Sequence, residues 1–110
     1  MASTYKVLAQ SAPSATTNTD AYTVGSGKSA VVSTITVCNR STSAVTYRIA
    51  VRPLGATLAN QHYIAYDATV PANDTISLTI GITLAATDVI TVKSATANAL
   101  TFMAFGSEIS

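Results

Sequence analysis

The chain has no tryptophan, one histidine, one cysteine, three prolines and five glycines in 110 residues, and only 10% of its residues are charged. Each scarcity closes a route. A lone Cys38 cannot form an intramolecular disulfide, which excludes a disulfide-stapled scaffold and fits folding in a reducing cytoplasm. A lone His62 cannot supply a His-pair or a mixed Cys/His zinc site within one chain. It also leaves a hydrolase triad one possible base, and no nucleophile-elbow pattern accompanies it. The charged fraction lies far below the roughly 25% usual for soluble proteins. Lys6, Lys28, Arg40, Arg48, Arg52 and Lys93 are spread against Asp20, Asp67, Asp74, Asp88 and Glu108, for a net charge of +1. No basic stripe tracks a phosphate backbone, so nucleic acid is not an expected partner. No apolar run approaches the ~18 residues of a membrane span, and Met1 to Lys6 does not read as the start of a signal peptide.

What fills the chain is 48% hydrophobic residues, together with Ser, Thr and Asn. A hydroxyl-rich surface is much less costly to desolvate than a charged one, and so suits burial against protein neighbours. The apolar residues recur with the two-residue period of strands, and the length fits one domain spanning residues 1–110. From Ser29 to Arg40, Val31, Ile35 and Val37 fall on one side; from Ala44 to Arg52, Val45, Tyr47, Ile49 and Val51 do. The short link Ser41-Thr42-Ser43 predicts an antiparallel hairpin between these two strands. A strand from His62 to Val70 should point Ile64 and Tyr66 inward. Pro71 to Asp74 and Ala85 to Asp88 read as turns, with Ile76, Leu78 and Ile80 in phase between them. Gly81 should let Ile82 to Leu84 leave the direction of the preceding strand. Val89–Lys93, Leu100–Phe105, Tyr5–Ala9 and Ala21–Val24 complete about eight strands. The fold expected is all-β: a single antiparallel β-sandwich, jelly-roll-like, with an immunoglobulin-like sandwich as the alternative.

Few residues suggest chemistry. Gly25-Ser26-Gly27-Lys28-Ser29 has the end of a phosphate-binding loop, but Tyr22 stands where its first glycine belongs. The run after it is strand-like rather than helical, so it reads as a turn. The aspartates stand singly near turns, where their carboxylates commonly accept backbone hydrogen bonds. The sequence therefore yields no catalytic, cofactor or metal residue, and a non-enzymatic protein is expected. Arg48 and Arg52 share a strand face, and the expected hairpin brings Arg40 near them. These three are the candidate protein–protein contacts, able to grip a neighbour's carboxylates or carbonyls. Val31 beside Val32 and Val89 beside Ile90 put apolar groups on both faces of their strands, which predicts self-association, with a homotrimer as the expected state. The aromatic residues fall mostly in strand-like segments and read as core, which disfavours a glycan-binding module built on exposed platforms.

Four segments carry a resemblance: Tyr5-Lys6-Val7-Leu8-Ala9-Gln10, Tyr47-Arg48-Ile49-Ala50-Val51-Arg52-Pro53, Gln61-His62-Tyr63-Ile64-Ala65-Tyr66-Asp67, and Gly81-Ile82-Thr83-Leu84-Ala85-Ala86-Thr87-Asp88. The chain resembles, over nearly its full length, short virion structural proteins of tailed bacteriophages. The resemblance implies a place in the virion, in repeated copies. Its expected partners are its own copies and either the major capsid protein, as a decoration or cement protein, or the neck, tail or baseplate. The polar ends, Met1 to Thr4 and Ser107 to Ser110, are expected to act as arms that order only against a partner.

Overall fold

In a computed structural model, residues 2–110 are described and form nine strands: β1 (Ser3–Ser11), β2 (Thr19–Thr23), β3 (Ser29–Asn39), β4 (Val45–Arg52), β5 (Tyr63–Val70), β6 (Thr75–Leu78), β7 (Ile82–Leu84), β8 (Val89–Ser94) and β9 (Leu100–Ile109). Two antiparallel sheets pack face to face, one in the order β1-β9-β3-β6 with β7 also on β3, the other β2-β8-β4-β5. The pairing is nested: β1 with β9, β2 with β8, β3 with β6 and β7, β4 with β5. The chain thus forms one long folded-back ribbon whose tip is the β4–β5 connection. Rolling it up brings β9 onto β3 and β8 onto β4.

The core lies between the sheets, where Val32, Ile35, Val37, Tyr47, Ile49, Val92, Leu100 and Phe102 interlock. The Tyr47 and Phe102 rings meet edge to face at 6.4 Å. Burying each such side chain contributes about 1.5–3 kcal/mol relative to exposure. Asn39 closes one end of this core. It is 1% exposed, and its Nδ2 donates to the carbonyls of Ser43, Val70 and Pro71 while its Oδ1 accepts from the Ser41 amide and hydroxyl. At the other end Glu108 accepts from Tyr22 (2.7 Å) and Lys6 (3.0 Å), with Lys28 at 3.6 Å.

Several sequence expectations need correction. The predicted hairpin does not form, because β3 and β4 belong to opposite sheets and Ser41-Thr42-Ser43 crosses between them. Val31 points outward: a bulge between Val32 and Thr34 shifts the alternation, so Ala30 and Val32 take the inward positions. Ile64 and Tyr66 are exposed as well, because register shifts in β5, with Asp67 at a φ of 51°, turn Ala65 and Ala68 to the core instead. β7 resumes pairing on the edge of β3 that β6 occupies, so Gly81 interrupts a strand without redirecting it. The ends are not free arms. Ser3 pairs with Ile109, and Ala2 and Ser110 exchange backbone hydrogen bonds at 2.9 Å; Met1 lies outside the described residues.

Candidate functional site

The sequence placed function on three arginines, and the structure separates them. Arg48 and Arg52 do share the outward face of the four-stranded sheet. Arg40 follows β3 in the other sheet, where its Nε donates to Thr101 Oγ1 (2.9 Å) and its Nη2 to the Asn98 carbonyl (3.1 Å). Arg52 is held by Asp20 (2.8 Å), Thr91 Oγ1 (3.0 Å) and the carbonyls of Gly55 and Ala56. Arg48 binds Asp67 through both Nε (2.7 Å) and Nη2 (3.2 Å), with its guanidinium carbon 4.0 Å from the centre of the Tyr66 ring. The pairing with Arg48 holds the Asp67 carboxyl below its ordinary range, and Asp67 raises the Arg48 guanidinium in turn. Asp74 and Asp88 accept backbone amides at turns, as their positions suggested. The charged side chains on this face are Asp20, Arg48, Arg52, Asp67 and Lys93.

The opposite sheet presents a face of another kind. Its outward cross-strand rows run Ser3–Ile109–Ser29, Tyr5–Ser107–Val31–Thr83, Val7–Phe105–Thr34, Gln10–Met103–Thr36–Ser77 and Thr101–Cys38–Thr75. Not one of these positions is charged. Tyr5 is 87% exposed, Val7 48% and Val31 39%. A shallow groove of about 440 Å³ runs between Tyr5, Val31, Phe105 and Ser107. Lys6, at its margin, is drawn away to Glu108. Contiguous exposed apolar surface of this kind marks an interaction site more often than an ordinary solvated face. A pattern reading reaches the rows only once the bulges and the sheet membership are known, which is why the arginines drew attention first.

Other expectations resolve locally. Val89 is buried on the outward side of its sheet, with its methyl group close to Gly55 in the 53–55 turn, so it offers nothing to a second copy. Gly25 to Lys28 is a turn closed by a 3.2 Å backbone hydrogen bond and leads into β3, not into a helix. His62 is buried, its Nδ1 accepting the Ala59 amide at 3.0 Å. Among the described residues no three His, Cys, Asp or Glu side chains gather as metal ligands, and no helix is long and apolar enough to cross a membrane. Tyr5 and Tyr66 are exposed rather than core. No known protein family, curated protein or solved structure matches the chain.

Proposed function

We propose that the chain is a non-enzymatic structural protein of a tailed-phage virion, a decoration or cement protein that bridges capsid subunits as a homotrimer. The observation that carries this is the uncharged outward face of the five-stranded sheet. Burying Tyr5, Val7 and Val31 against a protein surface gains apolar contact at little cost in charge desolvation, since Lys6 at the groove margin is already paired with Glu108. The resemblance to short phage virion proteins supplies the particle. The nested strand pairing supports a jelly roll over an immunoglobulin-like sandwich, counting β6 and β7 as one interrupted strand. Weak contacts suffice, because repeated copies each touching several subunits multiply modest affinities. Arg48 and Arg52, held in ion pairs of their own, flank the opposite surface.

Quantitative mass spectrometry and reconstruction of purified virions test the reading. Copies in proportion to capsid subunits, on the outside of the head, are expected. A few copies confined to the neck or tail would replace decoration by the adaptor alternative, and absence from the particle would end both.

A further inference from the structure

On the outward face of the four-stranded sheet, Arg48 of β4 and Lys93 of β8 stand directly opposite each other. Like charges in that position destabilise a sheet, and a chain with only six Lys and Arg residues has placed two of them so. One carboxylate, Asp67, answers the two cations. It reaches Arg48 from a left-handed backbone conformation, φ 51°, which Asp adopts at less cost than most residues. The facing cations give up stability here, and such concessions gather at binding sites.

The three charged residues line a half-open cleft of about 280 Å³ with Thr16 and Thr46. Arg48 is fixed by Asp67 and the Tyr66 ring, with the Tyr63 hydroxyl also against its guanidinium; the two Asp67 bonds come from Nε and Nη2, not from Nη1. Among the described residues, Lys93 makes no ion pair or hydrogen bond, and neither do the hydroxyls of Thr16 and Thr46 make any. Arg52 on the same face, by contrast, makes four such bonds. The cleft thus presents two cationic donors with a net charge of +1, two free hydroxyls, and the remaining lone pairs of Asp67.

We infer that this cleft binds a sugar acid, a single ring carrying one carboxylate and neighbouring hydroxyls, as in a uronate. The carboxylate lies between Arg48 Nη1 and the Lys93 ammonium. The ring hydroxyls donate to Asp67 and exchange hydrogen bonds with Thr16 and Thr46. A peptide carboxylate would satisfy the cations but leave Asp67 and the threonines unused, and a neutral sugar would leave Lys93 unpaired.

The test is titration of the isotope-labelled full chain with glucuronate, galacturonate, glucose, acetate and a short Glu-containing peptide, followed by amide shifts. The uronates should move Thr16, Thr46, Arg48, Asp67 and Lys93 saturably, about tenfold more tightly than glucose or acetate. Lys93→Gln should weaken uronate binding about fivefold or more while raising the melting temperature, since it removes the like-charge pair. Arg52→Gln should bind as the native chain does. No saturable shift, equal affinity for glucose or acetate, or tighter binding of the peptide would overturn the inference. So would a Lys93→Gln variant that melts lower and binds as before. Binding is read on the isolated protein, so failure here leaves the virion proposal standing, and absence from virions leaves this one standing.

Discussion

At the residue scale, Gly106 and Asn39 are the positions where side-chain identity decides most. Gly106 pairs with Val32 beside the β3 bulge, and a Cβ there would run into the Val31 carbonyl. Gly106→Ala must push two strands apart, and a loss of about 1–3 kcal/mol in chemical unfolding is expected. Asn39→Ala removes the donor shared by three carbonyls and the acceptor of Ser41; the buried groups left unpaired set a loss of about 1–3 kcal/mol or more. Although Asn39-Arg40-Ser41 matches a glycosylation sequon, burial of Asn39 puts it out of reach of a glycan. Glu108 is held below its ordinary range, first by the hydrogen bond from Tyr22 and then by Lys6. A depressed carboxylate pKa means the unfolded chain binds the proton first as pH falls. The stabilisation is complete above the unfolded value and is lost as pH drops through the folded one. Melting temperatures should therefore fall on the acid side, and Glu108→Gln should flatten that limb. Tyr22 is pushed upward by burial and by Glu108, so its contribution is present below its ordinary value and declines in strong alkali.

Among the elements, legibility followed how local each determinant is. Alternation in β3 and β4 marks these strands with boundaries close to those observed, because each buries mainly one face and two-residue periodicity is written within the strand itself; β8, buried on both faces, is marked instead by its β-branched run between turns. Val31, Ile64 and Tyr66 were misplaced because a bulge inserts one residue, inverts every position beyond it, and leaves no composition signal. Sheet membership was equally hidden. A three-residue polar link suits a hairpin as well as an arch, and only the closing of β9 onto β3 and β8 onto β4 chooses between them. Arg48 and Arg52 were legible as a shared face; Arg40 was not, since its distance from them depends on that arch. At this scale Val31→Lys is the informative change. It points outward, so unfolding should shift by under about 0.5 kcal/mol. Sedimentation velocity should show native self-association reduced toward a monomer of 11.3 kDa. Unchanged association in the variant would remove this face from the self-interface.

For the whole molecule, the unequal faces are the organising feature. A body 45 × 28 × 21 Å carries five charged side chains on the outer face of one sheet, while the outward strand rows of the other hold none and have only Arg40 and Lys6 at their margins. Scarce charge in the sequence suggested a surface made for burial, and the fold concentrates that quality on one side, leaving the ion-paired side to face water. If the proposed virion role holds, this division predicts an orientation in the particle that can be read directly. Hydroxyl-radical footprinting of the protein in purified virions, against the isolated chain, measures which face is covered. Tyr5, Met103 and Phe105 should be protected in the particle while Tyr66, beside Arg48, stays reactive. Equal labelling of Tyr5 in both states, with protection moving to Tyr66, would contradict the assignment of the uncharged sheet as the buried face.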